Sequence, residues 1–320
     1  MGVTANCNRN CTDCPSAGGD HGLNLDFQIV KRLFLLLKGK TKGLIVTGGE
    51  PTLYEYFSDT LKSGRQNDFE DITVVTNGSY LHKDTIFNSL TEYASAVRVS
   101  LYNWMESDLS GLVQTMRKIE KLKSKALARG SELSIGVSAL TSRENSPILD
   151  EVARISRENG ADWIYFHPTC TGDGTGAKKL LEQQYVLEEI KECSTKFSND
   201  FHVYFLDGRY GSEELKFKSY HAAHFILVMG ADSKNYVATE AKYQSDYVLW
   251  DLKNNWKEEF LWDTERLKIV SSFSNENFSP KESKNRGVLY NSLLERMISK
   301  QKSKSEYLPE WDSFYLPHII

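Results

Sequence analysis

Cys7, Cys11 and Cys14 lie within eight residues, in the pattern C-x3-C-x2-C, and make up three of the chain's five cysteines. That spacing puts three thiolates on one short loop, facing a common centre. Thiolates are soft ligands, suited to zinc or to an iron–sulfur cluster. Zinc needs a fourth ligand, and a matching second C-x2-C or H-x3-H is missing from the sequence. A cluster tolerates three protein ligands if its fourth iron is open to a small molecule. A second group of interest is Gly48-Gly49-Glu50-Pro51. Two glycines let the backbone come close to a ligand, Glu50 offers a carboxylate, and Pro51 suits the first turn of a following helix.

The elements that must position these residues are legible from apolar runs. Gly2–Asn6 is a short β-prone lead into the cysteine loop, and Asp26–Lys38 has the spacing of an amphipathic helix. Gly43–Thr47 is a short apolar run that ends at the glycine pair and reads as a buried parallel strand. Further strands are expected at Asp71–Thr76, Ala96–Leu101, Leu133–Leu140 and Trp163–His167, with helices at Lys83–Tyr93, Asp108–Ala128 and Ile148–Asn159 between them. Counting the lead, six strands alternate with helices, and His202–Leu206 offers a further one. Short, continuously apolar strands separated by helices indicate a parallel sheet covered by helices. With right-handed crossovers, the expected fold is α/β, a partial (β/α)6 barrel of the TIM type.

The cysteine motif, followed by the Gly-Gly-Glu-Pro stretch, resembles the radical SAM enzymes. The likeness covers residues 1–206 well and 220–270 more weakly. It implies a four-iron, four-sulfur (4Fe-4S) cluster on Cys7, Cys11 and Cys14, whose open iron binds S-adenosylmethionine (SAM). It implies that Gly48, Gly49, Glu50 and Pro51 form the motif in which Glu50 holds the amino group of the methionine moiety, a cation against a carboxylate. Asn77, after Thr76 and before Gly78, matches a strand-end motif near the cofactor. Ser100 and Ser138 fall at strand ends where the family keeps polar contacts to the cofactor. Asn145 falls where relatives touch the ribose or carboxylate, and His167 ends the sixth strand. These positions all lie at strand C-terminal ends, where such barrels build active sites. One residue departs from the pattern: the position before the third cysteine, usually aromatic, is Asp13.

Beyond the barrel, the helix Leu180–Ser198 precedes a smaller α+β region. Ile226–Met229 and Tyr236–Ala238 flank a hairpin-like turn, and Tyr247–Leu252 and a helix over Glu258–Ser272 follow. This order resembles the SPASM or twitch extension of many radical SAM enzymes, but without its cysteines. His221 or His224 stands near the first missing cysteine, and Thr239 or Glu240 near the second. The expected division is therefore a barrel over 1–206 and, over 207–320, a degenerate extension with a C-terminal helix around Arg286–Lys300 and an aromatic tail (Trp311, Phe314, Tyr315). His221, His224 and Glu240 are also of types that bind a metal, though two histidines three apart are more often surface or substrate contacts.

Composition narrows the function classes. The 320 residues are 40% hydrophobic and 26% charged, with a net charge of −4, which argues against a nucleic-acid surface driven by basic excess. No apolar run approaches the ~20 residues of a membrane helix, and no signal peptide is recognisable. The cysteine spacing is no disulfide framework, and cluster thiolates need a reducing compartment, so the cytoplasm is the expected location.

The resemblance implies reductive cleavage of SAM to a 5′-deoxyadenosyl radical that takes a hydrogen atom from substrate carbon. The electron comes from an external reductant such as flavodoxin or ferredoxin. Without an auxiliary cluster, a redox-neutral outcome such as epimerisation is favoured. Cys170, just past the sixth strand, is the candidate second hydrogen donor; a small buried structural residue is the competing reading. The expected substrate is a small molecule (sugar, aminocyclitol or nucleotide), with a peptide as the alternative. A non-catalytic protein holding zinc or a cluster would have no need of Glu50, the strand-end serines and the glycine pair together.

Overall fold

The computed structural model of the protein describes residues 1–11, 14, 22–101, 110–168, 176–197, 201–207, 210, 217–274, 291, 294 and 295. Its frame is one parallel sheet of six strands in sequence order: β1 (Gly43–Val46), β2 (Asp71–Thr76), β3 (Ala96–Leu101), β4 (Ser134–Thr141), β5 (Trp163–Pro168) and β6 (His202–Tyr204). Helix α1 (Phe27–Leu37) precedes it, and α2 (Phe57–Gln66), α3 (Asp84–Tyr93), α4 (Ser110–Ala128), α5 (Leu149–Glu158) and α6 (Gly176–Lys196) connect successive strands. The sheet is an open partial barrel, as the alternation of apolar runs and helical spacing implied.

The two faces of the sheet differ in chemistry. Val46, Val74, Val97, Val99, Ile135, Val137, Ile164 and Phe166 are buried in one cluster with Val30, Leu61, Leu90, Ile119, Val152 and Ile190 from the six helices. The alternate positions carry Arg98, Ser100, Ser138, Tyr165 and His167, all buried. Register sets Ser100 beside Ser138, and Ser138 beside Tyr165. Period-two alternation thus separates a helix-covered apolar face from a polar one.

The count of six strands is reached differently from the expectation. The lead runs alongside the end of β1 without joining the sheet as a full strand: Gly2 bridges Thr47 in parallel and Thr4 bridges Asn24. The sixth place is taken by β6. Pro51 also starts only a 3-10 turn, Pro51–Leu53, and α2 begins at Phe57. That helix has a low apolar content and buries only Phe57, Thr60, Leu61 and Gly64.

A second sheet of three antiparallel strands, β7 (Val228–Met229), β8 (Lys234–Tyr236) and β9 (Val248–Asp251), follows the short helix α7 (Ala222–Phe225). Helix α8 (Thr264–Ser272) starts at an Asp263 cap whose carboxylate accepts from the Glu265 N–H. Met229, Trp250, Leu252 and Phe260 join the main core, and the Gly2 N–H donates to the Met229 carbonyl at 2.8 Å. The hairpin region is thereby packed against the sheet that carries the lead. Asp13, Cys170 and most of 275–320, including the expected terminal tail, lie outside the described residues.

Candidate active site

The site is assembled where the lead crosses the end of β1. Val3 donates to the Thr47 carbonyl, Gly49 to the Thr4 carbonyl at 2.8 Å, and Glu50 to the Asn6 carbonyl at 2.7 Å. A Cβ on Gly48 would overlap the Thr4 carbonyl, and one on Gly49 the carbonyls of Ala5 and Asn6. The approach expected here was to a ligand; what lies against the glycine pair is instead the backbone of the protein's own lead. Its consequence is positional: the chain is delivered, one residue later, to Cys7 beside Glu50.

Glu50 has no exposed surface. Its Oε1 accepts from the Thr52 N–H (3.1 Å), the Thr52 hydroxyl (2.5 Å) and the Thr76 hydroxyl (2.7 Å). Its Oε2 accepts from the Asn77 N–H at 2.7 Å. These donors are all neutral, and a carboxylate oxygen has two lone-pair sites, so Oε2 has capacity for another donor. A buried carboxylate among neutral partners favours a cation there. Thr52 and Thr76 were not singled out as site residues in the sequence, although both flank the motifs: Thr52 sits two residues past Glu50, and Thr76 immediately precedes Asn77.

Asn77 links this carboxylate to the cysteine loop. Its backbone serves Glu50, while its side-chain amide donates to Asn8 Oδ1 at 2.9 Å and lies 3.8 Å from the Cys7 sulfur. The Cys7 sulfur also accepts from the Arg9 N–H at 3.4 Å. Beyond the turn, the Lys118 ammonium donates to the carbonyls of Gly78 and Ser79. Burial, and secondarily the charge of Arg9, lowers its pKa below the usual lysine range.

Cys7, Cys11 and Cys14 are half-buried. Among the described residues no three His, Cys, Asp or Glu side chains are gathered round a single-ion site. The cluster assignment accordingly rests on donor type, spacing and loop position. By chemistry the donors suit the cofactor pair: soft thiols on one loop, and a buried carboxylate that Asn77 ties to Cys7 and whose Oε2 carries a single donor.

On the polar face, the Ser138 hydroxyl and His167 Nε2 are 2.9 Å apart, and the His167 ring stacks on Tyr165 at 5.3 Å. Ser100 is the next neighbour along the register. Asn145 stands apart from this group. Its Oδ1 accepts from the Ser142 N–H and its Nδ2 donates to the Leu140 carbonyl, so its amide closes the loop after β4. Pro51 is buried in the 3-10 turn beneath Glu50.

In the second sheet, Arg266 is 2% exposed and its guanidinium is held by three neutral oxygens: Asn235 Oδ1 at 3.1 Å, the Leu261 carbonyl at 3.1 Å and the Ala223 carbonyl at 2.9 Å. Burial lowers its pKa from the ordinary arginine value. The His221 and His224 rings are 6.4 Å apart, and burial, then Arg266 and His221, lowers the His224 pKa.

Residues 1–104 match the family model described as the Radical SAM superfamily. Among solved structures, the fold is similar to Streptococcus suis SuiB bound to S-adenosylmethionine, with a TM-score of 0.64 and 15% identity over 85% of this chain and 67% of SuiB. SuiB bound to its precursor peptide SuiA gives the same score and identity over 85% of this chain and 66% of that one. The chain thus spans about two thirds of SuiB's length. The structure of native anSMEcpe with bound AdoMet and Kp18Cys peptide matches with a TM-score of 0.60 and 14% identity, over 94% of this chain and 96% of anSMEcpe. Among the described residues, no helix is long and apolar enough to cross a membrane. Cys7, Cys11, Cys14 and Glu50 all lie inside the segment, residues 1–104 of 320, that matches the Radical SAM superfamily model.

Proposed function

We propose that this protein is an enzyme that cleaves S-adenosylmethionine reductively at the end of β1 and removes a hydrogen atom from a carbon of a polar small molecule. The observation that carries the reading is Glu50, a buried carboxylate with only neutral donors, tied through Asn77 to the loop of Cys7. When bound, the cofactors supply one-electron cleavage of a carbon–sulfur bond and the carbon radical that results.

The chain's own residues have separate tasks. Cys7, Cys11 and Cys14 would hold the iron. Glu50 Oε2 would accept from the SAM amino group, with Thr52, Thr76 and Asn77 fixing the carboxylate. Gly48, Gly49 and Pro51 set the backbone path that brings lead and carboxylate together. Ser100, Ser138 and His167 would orient cofactor or substrate across the polar face, where positioning contributes more than acid–base assistance. Asn145 would keep the rim loop in place and reach the ribose only by sharing its amide. A hydroxyl-rich substrate such as a sugar, aminocyclitol or nucleotide suits the serine and histidine groups. A redox-neutral outcome such as epimerisation would use Cys170 as hydrogen donor. The Cys170→Ala variant is then expected to release 5′-deoxyadenosine without net product; full turnover by that variant would remove Cys170 from the proposal.

A second reading, a peptide substrate, is favoured by the fold shared with SuiB and anSMEcpe, whose structures hold peptides. The test of the main reading is anaerobic reconstitution with iron and sulfide, then dithionite and SAM. Release of 5′-deoxyadenosine is expected. Stable iron binding with no release would instead favour a non-catalytic cluster protein.

A further inference from the structure

Two short segments beside the lead carry aromatic and acidic side chains that the function proposed above does not use. Asn24–Gln28 runs into the start of α1, and Tyr54–Tyr56 follows the 3-10 turn after Glu50. Between them is a surface cavity of about 290 Å³, whose lining includes Asn24, Asp26, Phe27, Tyr54, Glu55 and Tyr56. The Phe27 and Tyr56 rings stack with centroids 4.9 Å apart and planes at 4°, and the Tyr54 ring meets Tyr56 edge-on at 5.8 Å. Tyr54 is buried, and its hydroxyl donates to the Leu25 carbonyl at 2.5 Å, which ties the two walls together. The cavity is thus shaped before any occupant arrives, and an occupant need not order it.

The charge of the cavity is negative. Asp26 Oδ1 accepts from the Gln28 N–H, and neither Asp26 nor Glu55 forms an ion pair among the described residues. Burial, and after it Asp26, Tyr56 and Glu55, raises the Tyr54 pKa, as expected with both carboxylates close to that ring. Aromatic faces attract cations within about 6 Å, and the Lys31 ammonium already stands over Phe27 at 5.3 Å. Carboxylates set among aromatic rings select an organic cation over an anion or a neutral group. Tyr56 is 39% exposed, and Asp26 and Glu55 are exposed, so the mouth is open to solvent. Pockets that enclose a whole small ligand measure roughly 300–1,000 Å³. This one is smaller and open, and suits a single side chain that enters from outside.

We infer that this cavity binds a lysine or arginine side chain of a peptide docked against the start of α1, with the charged tip between Asp26, Glu55 and the Tyr56 ring. Its walls adjoin the segments that build the candidate active site: the Leu25 N–H donates to the Val3 carbonyl at 2.9 Å, and Tyr54 is four residues past Glu50. A basic residue anchored here holds its peptide beside that junction. Such binding needs neither an iron cluster nor S-adenosylmethionine, and no bond is made or broken in it.

The test is saturation-transfer NMR of the iron-loaded protein with acetyl-Gly-Arg-Gly-amide, titrated to obtain its Kd. The matching lysine tripeptide is expected to bind similarly. The citrulline tripeptide, which keeps the shape of arginine without its charge, should bind at least tenfold more weakly. Asp26→Asn/Glu55→Gln keeps a capping side chain at the start of α1 and should weaken the arginine peptide at least tenfold; Tyr56→Ala should weaken it severalfold. Glu258→Gln, at an exposed carboxylate before α8, should leave it unchanged. Iron-free protein should bind the peptide equally well, so a failure of the functional reading, seen as no release of 5′-deoxyadenosine, is separate from this result. No binding of the arginine peptide, equal binding of the citrulline peptide, or unchanged affinity in Asp26→Asn/Glu55→Gln would each overturn the site. Choline binding more tightly than either basic tripeptide would overturn the side-chain assignment in favour of a free quaternary ammonium.

Discussion

Glu50 and Arg266 are both fully or almost fully buried charges, and both are surrounded by neutral partners. They differ in what their surroundings leave over. The Arg266 guanidinium has an acceptor at each nitrogen, drawn from α7, β8 and the turn before α8. It behaves as a cross-link between segments that are distant in sequence. Glu50 has three donors crowded on Oε1 and a single one on Oε2, and Asn77 ties it to the Cys7 sulfur. Burying an ionised group costs several kcal/mol unless partners compensate. In the hairpin region each guanidinium nitrogen meets an acceptor of the protein itself. At the strand end the donors are unevenly spread, three on Oε1 and one on Oε2, and Oε2 can accept from a cationic ligand. A charge tied at every polar atom to distant segments reads as architecture; a carboxylate with one oxygen lightly served reads as a site.

The largest effect that would separate the two regions comes from the cysteines. Replacing Cys7, Cys11 or Cys14 with Ala should abolish retained iron and 5′-deoxyadenosine release, with the thermal midpoint of the iron-free protein unchanged; iron analysis and a melting curve check both. Arg266→Ala should do the reverse. It strands three buried acceptors, so a loss of roughly 3–5 kcal/mol is expected in urea unfolding. Retention of wild-type stability would refute the cross-link. Gly49→Val falls between them, because its side chain would meet the Ala5 and Asn6 carbonyls. It should cost about 1–3 kcal/mol and also lower iron retention, since the lead carries the cysteine loop.

Smaller effects sharpen the picture of the carboxylate. Thr76→Val removes one of the Glu50 donors, worth about 1 kcal/mol for a typical hydrogen bond, and should weaken SAM binding by about that much. The smallest effect concerns Cys193. Its thiol is buried, and burial followed by Asp150 pushes its pKa well above the ordinary range. Iodoacetamide at pH 8 should therefore label Cys7, Cys11 and Cys14 in the iron-free protein and spare Cys193, as read by peptide mass spectrometry.

Much of this contrast was legible in the sequence, but unevenly. The strands β1 to β5 show as apolar runs because both faces of a covered parallel sheet exclude water. The helix α2 is harder to see, since Phe57 and Leu61 are nearly its only large apolar residues. The motif residues Cys7 and Glu50 could be found from spacing. Their neighbours Thr52 and Thr76 could not be ranked, because a threonine's value depends on which acceptor the fold brings within reach. The role of Gly48 and Gly49 was half visible: a need for small residues was implied, but a ligand was expected against them where the fold brings the lead. Arg266 lies in the expected helical segment Glu258–Ser272, and its partners Ala223 and Asn235 are 43 and 31 residues away. Local pattern carries no information about such contacts.

The most direct measurement is equilibrium binding of radiolabelled SAM to the iron-loaded protein, comparing the native chain with Glu50→Gln and recording iron content for both. Iron content should be equal, and affinity at least tenfold lower in Glu50→Gln, because the amide keeps the shape but loses the charge that holds the amino group. Equal affinity in the two proteins would contradict the account, since Glu50 would then be a structural carboxylate like the Arg266 hub and not part of the cofactor site.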